Sequence, residues 1–201
     1  MKKIIIILFL LITYNITAQN NIDISENEII DNKSSTELVD FLGIKYREIK
    51  FTGKDLIGKS LSIKRYEYNG KSIIKSDIVF PNANVIDKDY GKLNDSIFSF
   101  RVFIQLNDKR TLVKTKTTFL KTSIIQNIPI YSNSDIVFMD EEKKQMTELL
   151  EHEDKYYCII EYNTDLPEFI EIYYRKGNLK SELTNDEDND RQLLIYEISI
   201  D

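Results

Sequence analysis

Ile97-Phe98-Ser99-Phe100-Arg101-Val102-Phe103-Ile104-Gln105-Leu106-Asn107 is the stretch that decides the fold class. Phe98, Phe100, Val102, Ile104 and Leu106 fall on one side of an extended chain. Ser99, Arg101, Gln105 and Asn107 fall on the other, with Phe103 as the exception. Successive side chains of a strand alternate faces, so the pattern predicts one face in a core and one largely in water, as in an antiparallel sheet. Asn107-Asp108 predicts a turn. Residues 110–120, rich in Thr and Val, run back as a strand, because β-branched side chains sit easily on a pleated surface. Ile124, Ile125, Ile128 and Ile130 continue around Pro129.

Upstream, Leu61 to Tyr68 alternates in the same way, Asn69-Gly70 follows, and Ile73, Ile74, Ile78, Val79 and Phe80 lead to Pro81. Asn-Gly between extended segments predicts a hairpin, since both residues tolerate the positive φ of a type I′ turn, and proline ends the second strand for want of a donor. Downstream, strands are expected at 156–162, 168–175 and 193–200, with a turn at Lys176-Gly177-Asn178. Ser34 with Glu37 makes a capping box before Leu38, Phe41 and Leu42, and Gly43 stops that helix. So short a helix must dock on something. A second helix is expected at 140–152, with Met146, Leu149 and Leu150 as its apolar stripe. The expectation is a mainly β (α+β) single domain: an antiparallel sheet or sandwich of about eight or nine strands with two short helices.

The amino terminus speaks to location. Met1-Lys2-Lys3 is basic, Ile4 to Ile12 is unbroken apolar sequence, and Ala18 precedes Gln19 and Asn20. That is the layout of a bacterial secretory signal peptide cut after Ala18. The apolar run is too short to cross roughly 30 Å of hydrocarbon, so no stable membrane insertion is expected after cleavage. The organisation reads as a signal peptide at 1–18, a flexible lead-in at 19–33 with room for one short edge strand, and one β-rich domain at 34–201. The expected compartment is the periplasm or the medium.

With 27 basic and 33 acidic side chains the chain carries −6, and losing Lys2 and Lys3 takes it to −8. That balance argues against nucleic acid as a partner. Lys109, Arg110, Lys114, Lys116 and Lys121 form the densest basic stretch, which on a sheet reads as a solvent face or a protected edge. The single cysteine, Cys158, lies in Tyr156-Tyr157-Cys158-Ile159-Ile160 and reads as a small buried hydrophobe. The single histidine, His152, stands at the end of the expected second helix, where its charge suits the helix dipole. One histidine and one cysteine exclude the usual serine triads and zinc centres.

Two motifs offer cofactors. Asp186, Asp188 and Asp190 stand at positions 1, 3 and 5 of a calcium-loop pattern with Glu197 at position 12, but Arg191 replaces the required glycine and a strand replaces the exiting helix. Gly53-Lys54-Asp55-Leu56-Ile57-Gly58-Lys59-Ser60 matches a phosphate-loop string, yet Leu61 to Tyr66 after it reads as a strand. No cofactor is therefore expected, calcium being the one metal the pattern admits. Among the tyrosines, Tyr66, Tyr68, Tyr173 and Tyr174 are the candidates for a contact surface, because tyrosine-bearing sheet faces serve recognition as well as packing. The residues point to an exported, non-enzymatic binding protein for another envelope or secreted protein. The alternatives are a glycosidase-like hydrolase built on carboxylates, or an inhibitor or immunity-type protein with an acidic blocking surface.

Overall fold

The computed structural model describes residues 22–27, 33–68, 73–81, 91–107, 109, 111–130, 155–163, 170–179 and 191–201. In chain order they form β1 (Asp23–Asn27), α1 (Lys33–Phe41), β2 (Lys45–Thr52), a 3-10 turn (Lys54–Leu56), β3 (Leu61–Tyr68), β4 (Ile73–Phe80), β5 (Ile97–Leu106), β6 (Leu112–Phe119), β7 (Thr122–Pro129), β8 (Tyr156–Asn163), β9 (Ile170–Lys176) and β10 (Arg191–Ile200). Two five-stranded antiparallel sheets result, ordered β1-β2-β5-β6-β7 and β4-β3-β10-β8-β9. The mainly β, antiparallel fold class holds. The expected second helix at 140–152 lies outside the described residues.

β5 sits at the centre of the first sheet and its alternation is realised: Phe98, Phe100, Val102 and Ile104 are buried and Arg101 is exposed. Three aromatic contacts join the sheets across one core. Phe100 meets Tyr196 at 5.4 Å, Phe51 meets Tyr156 at 5.1 Å and Phe119 meets Phe80 at 5.3 Å between ring centroids. Such pairs add to the area they bury through edge-to-face electrostatics. Strand β10 lies between β3 and β8 and is buried on both faces. Leu194, Tyr196 and Ile198 enter the inter-sheet core, while Leu193 and Ile195 join Tyr66, Tyr68, Tyr157 and Ile159 in a second apolar cluster on the opposite face.

One element departs from the expectation. β2 was not foreseen, and it is the strand that joins β5 to β1. Only Ile49 and Phe51 supply its apolar period, because Arg47 takes the next inward position and pairs with Glu26 at 3.5 Å. Residues 23–27, within the lead-in, pair with Glu48–Thr52 as a short edge strand. The helix stop, by contrast, is as expected. Gly43 has φ 63°, its N–H donates to Asp40 O, and the Ile44 N–H donates to Val39 O, the paired bonds of a Schellman end.

Candidate functional site

The four tyrosines do not form one exposed surface. Tyr66 and Tyr68 are buried in the second apolar cluster, because the outer face of the second sheet is covered there. Tyr173 is half-buried against that cluster, with its hydroxyl donating to Glu161 at 2.9 Å, whereas Tyr174 belongs to the inter-sheet side and stacks on Tyr156 at 6.3 Å. Adjacent residues of a strand face opposite ways, so Tyr173 and Tyr174 cannot share a surface.

Asp186, Asp188 and Asp190 lie outside the described residues. Glu197 is buried in the interior of β10 and accepts a hydrogen bond from the Tyr66 hydroxyl at 3.2 Å. Six residues of strand, roughly 20 Å, separate it from Arg191. Among the described residues no group of three or more His, Cys, Asp and Glu side chains is placed to hold a metal ion.

The phosphate-loop string folds as a turn into β3. The backbone N–H groups of Gly53, Leu56, Ile57, Gly58, Lys59 and Ser60 donate to Ser96, Gly53, Lys54, Leu93, Leu56 and Asp201 carbonyls. A phosphate cradle needs those donors free. Cys158 is fully buried and burial pushes its thiol up to about 12, which suits the packing role expected of it. His152 and Arg110 lie outside the described residues. No helix among the described residues is long and apolar enough to cross a membrane.

A polar cluster occupies one edge of the sandwich. Arg65 and Glu67, each under 4 % exposed, point into the inter-sheet space from β3, and Arg65 pairs with both Glu67 at 3.2 Å and Asp77 of β4. Lys75 adds a second cation 3.5 Å from Asp77. Across from them β6 supplies Thr115 and Thr117, whose hydroxyls, like Glu67 Oε2, are buried without a hydrogen-bond partner. Burial raises the Glu67 carboxyl above its ordinary value, against the pull of Arg65 and Lys75. Thr115 lies toward Tyr196 without closing a hydrogen bond of ordinary geometry, and burial pushes the Tyr196 hydroxyl up to about 12. Glu67 and Asp77 converge on one guanidinium, the geometry of a buried ion-pair network.

An open apolar feature lies on the opposite, outer face of the first sheet, where Lys114 and Lys116 alternate along β6 with Thr115 and Thr117. Leu38, Phe41 and Leu42 were expected to dock α1, yet they are 56 %, 86 % and 45 % exposed. The helix is anchored at its end by Gln105 Nε2, which donates to Leu42 O at 3.1 Å. It thereby stands beside the outer face of the first sheet and leaves a groove of about 360 Å³, lined by Leu38, Leu42, Ile44, Phe103, Lys116 and Ile125 among others. Tyr46, Phe103, Lys116 and Ile125 are register neighbours across β2, β5, β6 and β7. Phe103 stacks on Tyr46 at 4.8 Å and receives the Lys116 ammonium 5.9 Å from its centroid; Ile125 is 61 % exposed. The opposite flank of α1 borders a cavity of about 420 Å³ that reaches Ile170–Tyr173 of β9. Two signals for the groove were present in the sequence: Phe103, out of place on the wet face of β5, and Ile125, beside the inward Ile124. Neither revealed that α1 would stand next to them.

No protein-family model, curated protein or solved structure matches the chain.

Proposed function

We propose that this chain is an exported binding protein that recognises another protein through the groove between α1 and the outer face of the first sheet. The carrying observation is the apolar stripe of α1, open to solvent beside Phe103 and Ile125 instead of packed on the sheet. Single exposed apolar residues are ordinary, but a contiguous set lining a groove marks an interaction surface. The leader-like sequence of residues 1–18 supports a periplasmic or extracellular setting, and with it a partner among envelope or secreted proteins.

Affinity capture tests the reading. The cleaved chain is compared with a Leu38→Ser/Phe41→Ser/Ile125→Ser variant whose melting curve matches the wild type. A partner recovered from envelope extract by the wild type and lost with the variant is the expected result. Equal recovery by both would place recognition elsewhere. The export step has its own check: protein from native cells begins at Gln19, and a retained Met1 would refute cleavage.

A further inference from the structure

Resting on the groove as a protein-recognition surface, we infer that its occupant is an acidic polypeptide segment carrying apolar anchors. The floor supplies the apolar half of that complementarity through Leu38, Leu42, Phe103 and Ile125. The rim supplies the charge. Among the described residues Lys114 and Lys116 are the charged side chains that line the groove, both are exposed, and their spacing of two along β6 sets them on one face about 7 Å apart. The wider face agrees. Across β2, β5, β6 and β7 the outward positions carry Lys50, Arg101, Lys114 and Lys116 against one carboxylate, Glu48. That carboxylate is held by Arg101 Nε at 2.7 Å, and the hydrogen bonds from Arg101, Ser99 and Asn27 outweigh burial to keep it below its ordinary value.

The chain as a whole is negative, at −6, so this face is a local inversion of sign. Range decides which charge a docking segment feels. At physiological ionic strength exposed charges beyond about 8 Å are largely screened, whereas carboxylates seated in the groove would meet Lys114 and Lys116 at contact. An acidic segment therefore gains locally more than it loses to the distant surface. Basic and purely apolar segments lack that gain.

Two synthetic amphipathic peptides test this, with identical leucine anchors and either Glu or Lys flanks. Each is titrated into the cleaved chain, and amide shifts and Kd are read at α1, Phe103 and Ile125. The Glu peptide is expected to bind about tenfold tighter, the size of two surface ion pairs, with the preference reversed in Lys114→Glu/Lys116→Glu. Equal binding of both peptides in the groove would overturn the acidic partner while leaving the groove reading intact. Absence of shifts at the groove with either peptide would overturn the groove reading itself.

Discussion

Replacing Phe41 by alanine should leave stability almost untouched, and the reason can be worked from its exposure. Full burial of a phenylalanine side chain contributes about 1.5–3 kcal/mol. Phe41 is 86 % exposed, so the covered part amounts to about 0.2–0.4 kcal/mol. Alanine is the better helix former by about 0.5 kcal/mol, which offsets that loss. The net change falls within about 0.5 kcal/mol of zero, and at a urea slope of about 1–3 kcal/mol per molar the midpoint moves by less than about 0.5 M. Urea unfolding followed by tyrosine fluorescence is a suitable assay, since the chain has twelve tyrosines and no tryptophan. Phe100→Ala is the control. That ring is fully buried, 5.4 Å from Tyr196 and 6.1 Å from Phe119, and its removal should cost about 3–5 kcal/mol. A loss above about 1.5 kcal/mol for Phe41→Ala would mean that the ring is packed in solution. The open stripe on α1, and the recognition role proposed for it, would then fall together.

Other perturbations probe other parts of the fold. Gly43→Ala places a Cβ at φ 63° in open space, so the cost is backbone strain alone, about 1 kcal/mol by the same unfolding assay; an unchanged midpoint would refute the helix-end geometry. Cys158 should resist a thiol reagent at mildly alkaline pH and react only in denaturant, because its burial pushes the thiol up to about 12; rapid labelling of the native chain would contradict the packing. Glu67 has a raised folded pKa, so the stability it contributes is present below the ordinary carboxylate value and is lost as pH rises through the raised one. Glu67→Gln should remove that slope over the same interval, as measured by unfolding at stepped pH, and an identical slope in the variant would locate the titration elsewhere.

The sequence made the sandwich legible wherever strands obey a period of two with one face apolar. β5 is the clearest case, and β3, β4 and β6 follow it. β2 escaped because an inward arginine, satisfied by Glu26, interrupts the apolar period; the pairing that excuses Arg47 comes from a strand more than twenty residues away. The β6–β7 turn escaped for a local reason. Leu120 carries the positive φ, 50°, where a glycine or asparagine would have announced it. Site residues were harder still. Period two puts Tyr66 and Tyr68 opposite Leu61 and Ile63, and an antiparallel sheet with one wet face would expose them. The alternation assigns the faces correctly, but the second sheet is buried on both faces near β10, so the outer face there packs instead of meeting water. The groove depends on where α1 stands relative to β5, and nothing within either segment encodes that placement.

The position of β10 bears on how the chain is assembled. It is the last of the described strands in sequence but the middle one of its sheet, paired to β3 on one side and β8 on the other. Until residues 191–200 emerge, β3–β4 and β8–β9 are two separate hairpins with a gap between them, and Tyr196 is missing from its seat on Phe100. Synthesis from the amino end therefore delivers β10 after both hairpins that it joins, and the second sheet stays open until residues 191–200 have been made.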